Sequence, residues 1–243
     1  MAPQEPRGPF LSKTLRPVKV VKNYLKYPEG SCLFQMGDTK VLCTASLSES
    51  IPEHAKLSNK GWVTAEYSML PRAATERTAR HKIAGGGRTK EIQRLIGRSL
   101  RSVIDLESIP GLGVYLDCDV LQADGGTRTA AINGAFIALV QGLRRWRKDG
   151  KLTNWPVRDY VAAVSVGWVK GKPVLDLNYE RDVMADVDMN VVMTGKGQFI
   201  EVQGTAEHAP FSNQQLQQLL KLAAGGIRKI LAVQKRQLGD VHQ

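Results

Sequence analysis

Cysteine is scarce in this 243-residue chain. Its three residues, Cys32, Cys43 and Cys118, are odd in number and match no zinc-ligand spacing, which argues against a disulfide framework or a zinc site. Cys43 and Cys118 stand in strand-like apolar runs, so buried thiols in a reducing cytoplasm are expected. No apolar run approaches the roughly 18–20 residues that span a membrane. The start, Met1–Arg7, lacks an apolar core or a small-residue cleavage site, so no signal peptide is expected there. The histidines (His54, His81, His208, His242) are scattered, and no Ser or Cys stands in a nucleophile context. Neither a P-loop nor Gly-x-Gly-x-x-Gly occurs, so a nucleotide cofactor is not indicated. Trp62, Trp146, Trp155 and Trp168 show no spacing of a base-stacking platform.

What is abundant is positive charge. Thirty-four Lys and Arg against 23 Asp and Glu leave a net +11, and without a membrane-type segment that excess favours a polyanionic partner such as nucleic acid. The excess is uneven. Arg72, Arg77, Arg80, Lys82, Arg88, Lys90, Arg94, Arg98 and Arg101 face only Glu76 and Glu91 between positions 72 and 101. One basic helix face is most often merely solvated. Here the charge continues into the preceding Gly/Ala/Thr-rich loop, where guanidinium forks suit phosphate oxygens without reading base identity.

Periodicity organises the rest. Residues 1–16, rich in Pro and Arg, read as an N-terminal arm, and 17–243 as a single domain. A strand is expected from Val18, then a hairpin over Gly30–Ala45 turning at Gly37–Thr39, and a surface loop over 48–60. A helix over about Thr89–Asp105 buries Ile92, Leu95, Ile96, Leu100, Val103 and Ile104. A strand over Gly113–Asp124 leads through Gly125-Gly126 into a helix over Thr127–Arg147, with the stripe Ile132, Ala135, Phe136, Leu139, Val140, Leu143, Trp146. Two more hairpins turn at Lys170–Lys172 and Gly195–Gly197, and Ser212 with Gln215 makes a capping box for a last helix. Each half runs hairpins first and helices after. The fold class is therefore α/β of the α+β type, mixed sheets covered by helices in two pseudo-repeated halves.

Two further features suit phosphate chemistry. Gly85-Gly86-Gly87-Arg88-Thr89 and Gly125-Gly126-Thr127-Arg128-Thr129 both open helices, whose unpaired N–H groups and positive dipole end hold anions. The acidic run Asp176, Glu180, Asp182, Asp186, Asp188 supplies carboxylates of the kind that hold a hydrated Mg²⁺ in phosphoryl transfer. If 186–190 is extended, Asp186, Asp188 and Asn190 share one face, and spacing does not choose between Asp186 and Asp188.

The blocks Gly61–Arg72, Gly87–Arg101, Asp117–Thr129, Asp188–Thr194 and Glu201–Glu207 resemble, in order, the signature blocks of the bacterial ribonuclease PH family, over roughly residues 14–235. The resemblance implies a βαβα-type fold and a phosphorolytic 3′→5′ exoribonuclease that trims tRNA 3′ ends. Inorganic phosphate is then the co-substrate, nucleoside 5′-diphosphates are released, and the reverse reaction adds nucleotides. By position it implies Arg88, Gly126, Thr127 and Arg128 for phosphate binding and Arg72, Arg77 and Arg80 for RNA. It implies Asp182 and Asp188 as the catalytic pair and the Mg²⁺ ligands, choosing Asp188 over Asp186. A cytoplasmic homohexamer, a trimer of dimers, is implied as well. Arg181 departs from the family, which usually has an acidic residue there, and the loop between Arg80 and Arg88 is shorter than usual. The rival readings are a non-catalytic RNA-binding ring subunit of an exosome-like assembly and a hydrolytic metal-dependent nuclease.

Overall fold

The computed structural model describes residues 13–84 and 86–242. Most of the expected arm and Gly85 of the first helix start lie outside the described residues.

The elements follow in chain order as β1 (Val18–Lys22), β2 (Gly30–Met36), β3 (Thr39–Ser48), α1 (Glu53–Leu57), β4 (Trp62–Met69), α2 (Arg80–Ala84) and α3 (Gly87–Arg101). Then come β5 (Gly113–Gln122), α4 (Thr127–Lys148), β6 (Val161–Val169), β7 (Lys172–Leu175) and α5 (Tyr179–Val183). The last are β8 (Ala185–Thr194), β9 (Phe199–Ala206) and α6 (Asn213–Leu238). One sheet has the order β1-β2-β3-β5-β4, the other β7-β6-β8-β9. The first is mixed, because β4 pairs parallel with β5 while its other pairs are antiparallel. A parallel neighbour needs a long crossover, and the segment carrying α2 and α3 supplies it. The second sheet is antiparallel throughout. The expected α/β class with mixed sheets and helices in two halves is what the chain adopts.

The expected hairpin turns fall where the glycines allow them, as at Gly37 (φ +59°) and Gly171 (φ +73°). Other expectations need correction. The stretch 48–60 is not all loop, because Glu53–Leu57 winds a short helix around the buried Ala55. The arginine-rich loop likewise contains α2. α3 begins two residues before Thr89 and ends at Arg101; Val103 and Ile104 are buried beyond its end.

The largest correction concerns α4. A single apolar stripe is expected, yet every residue from Thr129 to Val140 is buried. The helix packs on β2, β3 and β5 of the first sheet and on β6 of the second, so it lies between them. Ala130, Ala131, Gly134 and Ala138 are small enough for the close approach. A Cβ on Gly134 would stand 2.7 Å from Cys43 Sγ. Cys32, Cys43 and Cys118 face one another across three strands as free, buried thiols, as expected. Burial pushes the Cys43 thiol well above its ordinary range.

The two halves are joined by polar contacts as well. β7 pairs with β6 only from Val166 onward, and Asp176 N extends the edge to Ser165 O (2.8 Å), which leaves the backbone of 161–164 open on that side. From α4, Asn133 Nδ2 donates to Ala163 O (2.9 Å) and Asn133 Oδ1 accepts from Ala163 N (2.8 Å). From α6, Gln234 Nε2 donates to Val161 O (2.9 Å). The two amides take the place of a missing strand. Each buried backbone group they pair would otherwise cost about 1–3 kcal/mol. The α6 capping box forms as expected, with Gln215 N donating to Ser212 Oγ.

Candidate functional site

The two glycine-marked helix starts come together at one cleft. Gly125 and Gly126 both take left-handed backbone (φ +69° and +64°), which brings the chain sharply from β5 into α4. The turn leaves no room for a side chain at Gly125, where a Cβ would stand 2.4 Å from Leu177 O. Gly126 caps α4 without any side-chain bond, and the first intrahelical donation is Ala130 N to Gly126 O (3.0 Å). The amides of Thr127, Arg128 and Thr129 are therefore the orphan donors of the first turn. Thr129 Oγ1 turns inward to Gly126 O (2.9 Å). Thr127 and Arg128 line the cleft, and Arg88, on the first turn of α3, lines it beside them. α3 likewise lacks a side-chain cap.

Arg128 is held by a neutral partner. Its Nη1 donates to Gln203 Oε1 at 2.9 Å, while Glu91 Oε1 stands farther off at 3.8 Å. Gln203 in turn donates to Glu91 Oε1 at 2.5 Å. The guanidinium is thus oriented from β9 by Gln203 and paired more loosely with Glu91, which leaves its remaining N–H donors for a planar, charge-assisted contact with an anion.

The opposite wall carries acid. Asp182 comes from α5, whose N-cap Asn178 accepts from Arg181 N (3.2 Å), and Asp188 from β8, opposite Thr205 of β9. β8 is extended as expected, with Val187, Met189 and Val191 buried. Asp188 lines the cleft and Asp186 does not. Burial raises the Asp182 carboxyl above its ordinary range; the Asp188 charge adds to this, and Arg88 and Arg128 oppose it. Burial raises Asp188 too, with Glu207 adding and Arg128 and Arg88 opposing. These mutual effects place two arginines and three carboxylates within electrostatic reach of one another. The cleft is about 640 Å³, large enough for a phosphate and a terminal nucleotide.

Among the described residues no group of three His, Cys, Asp or Glu side chains is arranged to hold a metal ion. A two-carboxylate site is a different matter. Mg²⁺ keeps several waters and commonly takes only one or two protein carboxylates plus substrate phosphates. Asp188 Oδ1 is buried without a hydrogen-bond partner among the described residues. Such an orphaned acceptor beside Asp182 fits a cation.

Other expected residues fall elsewhere. Arg72, Arg77 and Arg80 are exposed on the segment that follows β4, and none lines the cleft, although Ala74 between them does. Arg80 lies near Asp119, whose raised carboxyl (burial first, then Asp117) it pulls back down. Arg98 and Arg101 belong to the protein's own packing. Arg98 pairs with Glu201 (2.9 Å), and Arg101 donates to Val63 O (2.8 Å) and stacks 4.7 Å from the Trp62 ring. Arg181 does not line the cleft.

Several residues at the site carried no expectation of a role. Glu207 and Gln203 lie in a signature block without an assigned part. Arg16, read as part of an arm, clasps the glycine turn: its Nη2 donates to Asp176 Oδ1 (2.7 Å) and Gly125 O (3.3 Å), its Nε to Asp176 Oδ2 (2.9 Å), and its Nη1 to Asp124 O. Thr39 Oγ1 donates to Gly125 O (2.7 Å) and accepts from Asp124 N (3.0 Å). No local sequence signal marks these, since the contacts join positions more than 80 residues apart.

Models of the 3′ exoribonuclease family match this chain, domain 1 over residues 14–142 and domain 2 over 159–226. The ribonuclease PH of Moorella thermoacetica is 54% identical over 231 residues, covering 94% of this chain and 92% of that protein. That of Bacillus cereus is 54% identical over 230 residues, covering 93% and 94%. Among solved structures, rice (Oryza sativa) Rrp46 superposes with a TM-score of 0.74 at 19% identity, covering 93% of this chain and 97% of that one. The Archaeoglobus fulgidus exosome with RNA bound to the active site gives 0.76 at 20% identity, covering 91% and 89%. These two likenesses concern the fold.

Proposed function

The chain belongs to the bacterial ribonuclease PH group of the 3′ exoribonuclease family, and from that premise we propose that its cleft holds inorganic phosphate against the 3′ end of an RNA. The activity is phosphorolytic 3′→5′ exoribonuclease and nucleotidyltransferase action on RNA. A phosphate oxygen attacks the terminal phosphorus, the bond to the preceding 3′ oxygen breaks, and a nucleoside 5′-diphosphate leaves; the reverse reaction extends the RNA.

Arg88, Thr127, Arg128 and the first-turn amides at Gly126 bind and orient the attacking phosphate. The observation that carries this reading is the meeting of both helix starts and both carboxylates, Asp182 and Asp188, in one cleft. Positioning and charge stabilisation are nearly all that phosphoryl transfer asks of a protein. Asp182 and Asp188 would hold a divalent cation, Mg²⁺, which neutralises charge on the departing oxygen. Arg72, Arg77 and Arg80 grip the RNA backbone on the exposed segment above the cleft, and tRNA 3′ ends are the substrate.

Residues 17–243 act as one unit, a reading supported by α4 packing on both sheets. A homohexamer built as a trimer of dimers is the expected assembly. The edge strand β9, with Phe199 and Val202 exposed, supports contact with another subunit. A native mass six times that of the chain would establish it.

The deciding experiment incubates the protein with RNA, Mg²⁺ and phosphate. Nucleoside diphosphates should appear in proportion to phosphate. Monophosphates released without phosphate would refute phosphorolysis and favour the hydrolytic reading. Asp188→Ala separates an enzyme from a non-catalytic ring subunit: the enzyme loses turnover while retaining most of its RNA binding.

A further inference from the structure

Tyr67 lies beneath the cleft, between the two helix starts. It occupies an inward position of β4, where Val63, Ala65 and Tyr67 alternate toward the core, and it is only 4% exposed. β4 packs on α3, and Gln93 of α3 donates to Tyr67 O (3.4 Å). The phenol hydroxyl emerges at the first turn of α4 and donates to Thr127 Oγ1 at 2.8 Å. A buried Tyr that only filled the core would more often be Phe, since the hydroxyl must find a partner. Here the partner is the one hydroxyl among the residues assigned to phosphate.

A threonine hydroxyl has one hydrogen to donate and two lone pairs to accept with. At a helix start it has a choice of acceptors, and Thr129, two residues on, shows the usual outcome by donating back to Gly126 O. Tyr67 changes that choice for Thr127. By donating into one lone pair it makes the phenol side a donor, from which the Thr127 hydrogen is turned away toward the cleft.

We infer that Tyr67 is a positioning residue for the phosphate co-substrate, holding the Thr127 hydroxyl as a donor aimed at the anion. It touches neither phosphate nor RNA and acts only through Thr127. Burial raises the phenol above its ordinary range, and the charges of Arg88 and Arg128 work the other way. The phenol therefore remains a proton donor throughout neutral and mildly alkaline conditions. The partnership gives the site a preference for a ligand that accepts hydrogen bonds over one that must donate them.

The inference rests on the phosphorolytic reading, and its test is a double-mutant cycle. Tyr67→Phe keeps the ring and its packing and removes the donor. The phosphate KM should rise about three- to tenfold, as for weakening one hydrogen bond to a charged group, with kcat, RNA affinity and melting temperature little changed. In a Thr127→Val background the same substitution should have no further effect on phosphate KM. An unchanged phosphate KM in the single variant, or an equal loss in both backgrounds, would overturn the inference and leave Tyr67 a packing residue. Calorimetric titration of inorganic phosphate into wild type, the two single variants and the double variant reads the same coupling without turnover. If wild type shortens RNA without phosphate, the phosphorolytic reading fails separately, and the titrations still judge the Tyr67–Thr127 pair.

Discussion

Replacing Arg16 with Met should destabilise the protein strongly, because it breaks a buried ion pair. The side chain is only 14% exposed, and its partner Asp176 is fully buried at 0%. Burial opposes the Arg16 charge, yet Asp176 and Asp124 outweigh it and leave the guanidinium above its ordinary range. Met matches much of the stem's volume, so packing changes little and the loss is electrostatic. Removing one partner of a buried pair costs about 3–5 kcal/mol, because the other is left as an uncompensated buried charge. For a chain of this length the melting temperature should fall on the order of 10 °C. Circular dichroism melts measure it directly. Asp176→Asn added to Arg16→Met should recover part of the loss, since Asn tolerates the left-handed backbone that Asp176 adopts (φ +60°) and carries no charge. A single variant melting within about 2 °C of wild type would refute the reasoning, because Asp176 would then have another source of compensation.

Three further outcomes test the cleft. Asp188→Asn should abolish turnover yet stabilise the protein at neutral pH. Folding raises this carboxyl, so its charged form costs stability above the folded pKa and costs none below the unfolded one; melts at pH 7.5 should favour the variant and melts near pH 3 should not. Because Asp182 and Asp188 are both raised, activity should fall on acidification at a higher pH than for ordinary carboxylates. Glu207→Gln removes a like charge from both, so the acid limb of the pH–rate profile should move to lower pH, and less so at high salt. Gly125→Ala places a Cβ 2.4 Å from Leu177 O at a positive φ, so inorganic phosphate binding by calorimetry should weaken at least tenfold, the equivalent of about 1.4 kcal/mol, while RNA binding at the outer arginines changes less.

Much of the fold is legible because its signals are local. The hairpins announce themselves by glycine turns, α3 by one apolar face, and α6 by Ser212 and Gln215. The short helices α1, α2 and α5 span only five residues each, below the length at which helices form on their own. Tertiary contacts stabilise them, and a sequence pattern does not carry those. β4 has strand-like alternation, but its parallel partner β5 lies beyond α3, and nothing within Trp62–Met69 encodes that pairing. The total burial of α4 is hidden for a related reason. Its second face is mostly alanine and glycine, with the polar Asn133 among them, and reads as neutral until two sheets are known to press on the same helix.

The same contrast explains the site. Arg88, Thr127 and Arg128 were visible because glycines mark helix starts, and the carboxylates because they cluster in sequence. What brings those groups to one cleft is non-local. Asn133 and Gln234 fasten the second sheet's open edge to the helices, and Arg16 fastens Asp176 to the glycine turn. Tyr179 N donates to Asp124 Oδ1 (3.1 Å), tying the start of the Asp182 helix to the residue before Gly125. The carboxylate wall and the anion wall are thus set at their separation by polar bonds outside the chemistry. A substitution at Asp124 should therefore disturb the register between the two walls while leaving each wall's own residues intact.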